Sequence, residues 1–227
     1  MTAVKQAWYD DCMKITKYGH CCLLVSVDGT NILTDPGEWS QVPADLPKID
    51  CILITHEHGD HLDIATLDRV LQHSPEAVII TNATTAAKFS GDYGWKYDAV
   101  EDSVSELGGV RIETWQRKHA EIIKDIQPVD NTSFLINDTL YLPGDNFFVP
   151  DASVRVLALP VCAPWLHMHQ VIDFALKVKP ERAFPVHDGM LADPGPFHRI
   201  PQMMLQKNGI EFITLAAGES LTVEPNP

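Results

Sequence analysis

At 227 residues, with 45% hydrophobic and 21% charged positions, the chain is long enough to bury a real core in one large or two small domains. Seventeen basic against 31 acidic residues give a net charge of −14, which repels polyanions and disfavours a nucleic-acid substrate. Five cysteines (Cys12, Cys21, Cys22, Cys51, Cys162) form no CxxC pair, and three lie in or beside apolar runs, so reduced thiols are expected rather than a disulfide framework. Met1 to Asp11 lacks the apolar core of a signal peptide, and no stretch approaches a membrane span. The expectation is a soluble cytoplasmic protein acting on a small molecule, with no membrane or nucleic-acid partner and homo-oligomerisation left open.

In chain order, Lys14 to Gly19, Cys21 to Val27 and Thr30 to Thr34 read as short strands, the last two joined at the hairpin signal Asp28-Gly29. His20 sits between the first two, and by pattern alone is a half-buried turn histidine. Asp35 ends the third strand, either as a turn aspartate before Pro36 or as a carboxylate that orients a ligand histidine from behind. Glu38 and Trp39 open a Pro-rich loop, 37–48, that either walls a pocket or crosses the surface.

The densest stretch follows. Cys51 to Thr55 is an apolar strand, and His56-Glu57-His58-Gly59-Asp60-His61 then places three imidazoles and a carboxylate in six positions. Neutral imidazole and carboxylate are the donors that suit zinc and similar divalent ions. Residues two apart in an extended segment point the same way, so His56 and His58 can close on one ion. Asp60 and His61, where the chain turns, can reach a second. Ile64, Leu67, Val70 and Leu71 then recur at helical spacing over 62–73.

Ala77 to Thr81 reads as a strand, Ala83 to Ser90 as a short helix capped by Asn82, and Gly91 to Gly94 as a turn into an edge strand. Val110 to Gln116 is a strand ending near His119, which by itself reads as a surface residue. Asn131 to Ile136 and Thr139 to Leu142 form a hairpin, after which Gly144-Asp145 is, alone, an ordinary turn. Val154 to Leu159 is a buried strand leading into a loop where Cys162, Trp165 and His167 are pocket candidates. His169 falls on a helix reaching Val178, and Arg182 to Val186 is a strand that delivers His187. A helix over 198–208 and strands at 211–215 and 220–223 complete the scaffold.

The His-x-His-x-Asp-His run resembles the signature of the metallo-β-lactamase superfamily. Tyr18-Gly19-His20 and Ile32-Leu33-Thr34-Asp35-Pro36 look like the opening hairpins of its lactonase and phosphodiesterase-like branch, and Leu142-Pro143-Gly144-Asp145 and Phe184-Pro185-Val186-His187 like its later metal motifs. The resemblance implies a single-domain, four-layer αβ/βα sandwich of two mixed β-sheets flanked by helices. It implies His56, His58 and His119 on one ion, Asp60, His61 and His187 on the other, and Asp145 bridging both. His20 becomes a residue beside the metals, Asp35 a support for a ligand, and Asp60 a ligand that also handles a proton. The segment Ala120 to Gln127 departs from the pattern: it lacks a glycine common there and is unusually charged.

Two divalent ions at such a site, zinc by expectation with manganese or iron accepted by the same donors, supply hydroxide near neutral pH and polarise a carbonyl or phosphoryl oxygen. The absence of a Gly-x-Ser-x-Gly elbow agrees with a reaction that needs no nucleophilic side chain. The leading expectation is hydrolysis of a small ester, lactone or phosphodiester, in the branch resembling L-ascorbate-6-phosphate lactonase. Iron-dependent oxygenation at the same ligands, nuclease activity and a non-catalytic binding module stay open as alternatives. His58, where the flavodiiron branch usually has Glu, argues against that form of the iron reading.

Overall fold

A computed structural model describes residues 12–89 and 93–225. The absence of a signal peptide expected over Met1 to Asp11, and the parts of the 83–90 helix and 91–94 turn at Ser90, Gly91 and Asp92, lie outside the described residues.

Two seven-stranded sheets form the body. The first contains β1 (Met13–Lys17), β2 (Leu23–Val27), β3 (Thr30–Thr34), β4 (Cys51–Leu53), β5 (Val78–Thr81), β6 (Tyr97–Ala99) and the C-terminal β14 (Ser220–Val223), in the order β14-β1-β2-β3-β4-β5-β6. The second contains β7 (Ser103–Leu107), β8 (Val110–Lys118), β9 (Asp130–Ile136), β10 (Leu140–Leu142), β11 (Val156–Pro160), β12 (Arg182–Val186) and β13 (Glu211–Phe212), in the order β13-β12-β11-β10-β9-β8-β7. Each sheet runs antiparallel on one side and parallel on the other.

The apolar runs are continuous because both faces of each sheet are buried. Along β2, Leu23 and Val25 enter the inter-sheet core while Leu24 faces the outer layer. Along β9, Phe134 and Ile136 meet them from the other sheet, and Leu135 faces outward. The outer layer over the first sheet is α1 (Ile64–His73) with the short α2 (Ala83–Ala86). Over the second lie α3 (Met168–Val178) and α4 (Gly195–Gln206). Asp63 caps α1 by accepting from the Ala65 and Thr66 amides, a cap worth about 1 kcal/mol. Leu67, Val70 and Leu71 seat α1 on the sheet, each contributing roughly 1.5–3 kcal/mol of burial.

The four-layer sandwich agrees with the sequence expectation. Several boundaries shift, the 83–90 helix shortening to Ala83–Ala86 and the 51–55 strand to Cys51–Leu53, and three further details differ. β7 was not anticipated: its alternation is polar and half-exposed, too weak to signal a strand. The final helix begins at Gly195 rather than 198, because Pro196 at its start needs no amide partner. Strand 211–215 shortens to Glu211–Phe212. Among the described residues no helix is long and apolar enough to cross a membrane, and no disulfide links the described cysteines.

Candidate metal centre

The topology brings a set of strand ends to one edge of the sandwich. His20, Asp35 and His56 follow β1, β3 and β4 in the first sheet; His119, Asp145 and His187 follow β8, β10 and β12 in the second. These strands run in a common sense within each sheet, so their carboxyl ends open onto one crevice, the usual location of ligand sites in open α/β sheets.

Three groups of donor atoms lie within 4.8 Å of one another: His56, His58 and His119; His20, Asp60, His61 and His187; and His56, His61 and Asp145. The structure therefore brings together all seven expected ligands, with His20 as an eighth neighbour. His20, His56, His61, His119, Asp145 and His187 are buried, and His58 and Asp60 are half-buried.

The hydrogen bonds behind these rings determine which nitrogen carries the proton. His119 Nδ1 lies 2.6 Å from the Ala120 carbonyl and His187 Nδ1 2.6 Å from the Cys162 carbonyl. A carbonyl only accepts, so both Nδ1 atoms donate and both Nε2 lone pairs face the crevice. His61 Nδ1 donates to Asp35 at 2.9 Å. The Thr55 hydroxyl donates to the same Asp35 oxygen at 2.9 Å and accepts from His56 Nδ1 at 3.0 Å. Asp35 thus fixes two rings, one directly and one through Thr55, the kind of support that orients metal-bound histidines. Its backbone has φ 37°, a left-handed turn that aspartate tolerates.

This pattern tests whether a cation fits. The Nε2 atoms of His61 and His119 and one Asp145 oxygen are buried without a hydrogen-bond partner. Yet His61 Nε2 lies 3.3 Å, His119 Nε2 3.2 Å and His187 Nε2 3.0 Å from Asp145 oxygens. Imidazole lone pairs facing a carboxylate require positive charge between them. Protons supply one form of it: burial alone would lower His61 and His187, but Asp145 raises both, with Asp35 adding to His61. A metal ion supplies the other, and the all-N/O donor set fits a divalent transition ion. His56 and His58, by contrast, are held below the usual histidine range, first by burial and then by neighbouring imidazoles, and stay neutral, with His56 Nε2 3.0 Å from His58 Nδ1. Burial would raise Asp60, but the hydrogen bond with His20 and the rings of His61 and His187 bring it down to about 2, so it is ionised and ready to ligate.

His20 differs from the others. The Gly189 amide donates to His20 Nδ1 at 3.2 Å, so Nδ1 is the acceptor. Burial lowers its pKa and leaves the ring neutral, with its proton on Nε2, which donates to Asp60 at 3.2 Å. A nitrogen that carries the proton is not a metal donor.

Two glycines make room for this packing. A Cβ on Gly144, which has φ +64°, would lie 2.3 Å from Asn131 Oδ1, the atom that accepts the Asp145 amide. A Cβ on Gly37 would lie 2.0 Å from the Asp60 carbonyl oxygen, so only glycine lets loop 37–48 press against the ligand turn. Of the pocket candidates, Glu38 lies against Gly59 and donates its amide to the Gly59 carbonyl. Trp39 meets His20 edge-on at 4.9 Å. The buried Trp165 indole donates to Asp145 at 3.2 Å. Cys162 takes part through its carbonyl, and His167 stands at the start of α3, its ring 5.8 Å from that of His169 and outside all three donor groups.

Sequence reading missed several supports. Lys17 is buried, with Nζ on both Asp188 oxygens at 2.8 and 2.7 Å and on the Pro185 carbonyl at 2.8 Å. His198 holds Asp188 from α4 at 3.0 Å. This network fixes the segment carrying His187 and Gly189, and one lysine in a strand gave no hint of it. The other omission is a cavity of about 160 Å³ beside His58 and His119, walled by residues 120–129 rather than by the candidates above.

Comparison with known proteins agrees with this geometry. A beta-lactamase superfamily domain is matched over residues 14–187. Protein Rv0786c of Mycobacterium tuberculosis is 35% identical over 79% of this chain and 86% of its own length. A UPF0173 metal-dependent hydrolase of Enterococcus faecalis is 26% identical over 77% of this chain and 86% of its own. Among solved structures, Igni18, a metallo hydrolase from Ignicoccus hospitalis, superposes with a TM-score of 0.75 at 21% identity, covering 95% of this chain and all of that one. At that identity the likeness is one of fold.

Proposed function

The chain belongs to the beta-lactamase superfamily, and we propose that it is a dinuclear metal-dependent hydrolase acting on a small ester, lactone or phosphodiester. The observation that carries this reading is the convergence of three buried imidazole Nε2 atoms on Asp145, two of them, on His61 and His119, without a hydrogen-bond partner. In this reading His56, His58 and His119 hold one ion, Asp60, His61 and His187 the other, and Asp145 both. Bound divalent ions supply a water of lowered pKa and a Lewis acid for the substrate's carbonyl or phosphoryl oxygen.

The protein's own groups set the geometry. Asp35 holds His61 and, through Thr55, His56 in the donor tautomer. Asp60, ionised far below neutrality, serves as ligand rather than as base. The Trp165 indole holds one Asp145 oxygen in place. His20 presents its N–H to Asp60 and so orients that carboxylate. The net charge of −14 favours a small substrate over a polynucleotide. The opening motifs Tyr18-Gly19-His20 and Thr34-Asp35-Pro36 favour the branch resembling L-ascorbate-6-phosphate lactonase, with zinc or manganese as the ion.

The test is elemental analysis of protein purified without chelator, followed by a lactone, ester and phosphodiester screen. About two equivalents of zinc or manganese with turnover of one of these classes is expected. About one equivalent of iron with O2 uptake would replace the hydrolase by the oxygenase reading.

A further inference from the structure

The loop between β8 and β9 carries an apolar tip that folding does not explain. Residues 120–128 leave the hairpin just after His119 and return at Val129, whose carbonyl accepts the His119 amide at 2.9 Å. The Ala120 amide donates to the Asp145 carbonyl at 2.7 Å, so the base of the tip is fixed to the metal centre. Within it the Ile126 amide bonds the Ile123 carbonyl at 3.2 Å, and Asp125 makes the turn with φ 68°. Ile122, Ile123 and Ile126 are nonetheless 46, 58 and 61% exposed. Isoleucine is among the residues most often buried, and three exposed on one short tip bury little against the fold.

Those three side chains line a cavity of about 160 Å³ together with Ala120, Gln127, Pro128 and Val129, and its remaining walls are His58 and His119. Glu121, Lys124 and Asp125, the charges that mark the segment in the sequence, are not among its walls. The cavity is smaller than the roughly 300–1,000 Å³ of sites that enclose a drug-sized ligand, so it suits one arm of a substrate rather than the whole.

Resting on the hydrolase reading, we propose that this cavity binds an apolar alkyl or aryl arm of the substrate, placing its scissile carbonyl at the His56–His58–His119 side of the centre. The substrate class narrows to neutral esters or lactones with a hydrophobic substituent, since a phosphate-rich arm gains nothing from isoleucine walls and is repelled by the acidic surface. Each methylene buried there strengthens binding by about fourfold.

The experiment compares acetohydroxamate with octanohydroxamate on zinc-loaded protein by calorimetry, which reads binding without turnover. The octano compound should bind about 10- to 60-fold more tightly, the gain from two or three buried methylenes. In Ile122→Ser/Ile126→Ser, with zinc content unchanged, that ratio should fall to within about threefold of one. Equal affinities in the wild type, or an undiminished ratio in the double variant, would overturn the proposal while leaving the hydrolase intact. Failure of either compound to bind zinc-loaded protein would instead remove the hydrolase reading on which it rests. Sedimentation showing a dimer that the double variant abolishes would assign the tip to a second copy of the chain and also overturn it.

Discussion

The two halves of the candidate metal centre share the Asp145 carboxylate and one continuous loop, yet they are built differently. The His56–His58–His119 half is open: His58 is half-buried, and two of its ligands form cavity walls. In the Asp60–His61–His187 half Asp60 is half-buried too, but the two imidazoles are buried and enclosed by Asp35, the Cys162 carbonyl, and the Lys17–Asp188–His198 network. The enclosed half is therefore the more firmly held, while the open half faces the cavity walled by residues of the 120–129 segment. Pre-organised ligands on one side and access on the other are what a two-ion hydrolytic site requires.

The most severe way to break this contrast is at the shared residue. Asp145→Asn removes the charge that the surrounding imidazole lone pairs face, so both halves should lose affinity together. Metal content should fall below one equivalent per chain, and activity should drop by more than the roughly 100-fold upper bound for loss of an outer support. His58→Ala is its counterpart: as it touches only the open half, about one equivalent should remain bound, the fold surviving by circular dichroism. If Asp145→Asn keeps both ions, or His58→Ala loses neither, the ligand assignment is wrong.

The same contrast governs what the sequence discloses. The His56–His61 run is legible because its four donors are contiguous and follow a buried strand, so local periodicity is enough to place them. His119, Asp145 and His187 are each a lone polar residue after a strand, and what brings them together is the pairing of β8 to β12 across long stretches of chain. Only the order and spacing of the whole motif set, through family resemblance, gave them weight. Lys17 was invisible for the opposite reason: its partner Asp188 is 171 residues away, and one lysine in a strand implies nothing. In the sequence the segment 120–127 stands out only by its missing glycine and its charges, because exposure of its isoleucines is a property of the turn rather than of composition.

Asp35 links the halves, since one of its oxygens accepts from both the His61 ring and the Thr55 hydroxyl that holds His56. Asp35→Ala should weaken metal affinity or kcat/KM by about 10- to 100-fold, the usual effect of losing a carboxylate behind ligating histidines. Both halves should suffer, so competitive chelation should show two weakened sites. One weakened site would mean that Thr55 holds His56 unaided, and none would return Asp35 to a turn-forming role.

The effect at His20 should leave metal content untouched, and it separates two roles that proximity alone confuses. Its ring lies with Asp60, His61 and His187 closely enough to count as a fourth donor to the enclosed half. The Gly189 amide occupies Nδ1, however, so the proton sits on Nε2, the nitrogen that faces Asp60. Ligation through Nε2 would require that proton to leave, and moving it to Nδ1 would break the hydrogen bond from the Gly189 amide. His20→Ala should therefore retain the wild-type metal content while lowering kcat by about 10- to 100-fold, a range typical of an outer partner. His20→Gln, which restores an N–H donor, should recover part of that loss. Nitrogen-15 NMR of the diamagnetic zinc form gives an independent readout, and His20 should show its proton on Nε2 while His61, His119 and His187 carry theirs on Nδ1. Loss of one metal equivalent in His20→Ala, or a proton on His20 Nδ1, would make His20 a ligand and the enclosed half four-coordinate in protein donors before Asp145 is counted.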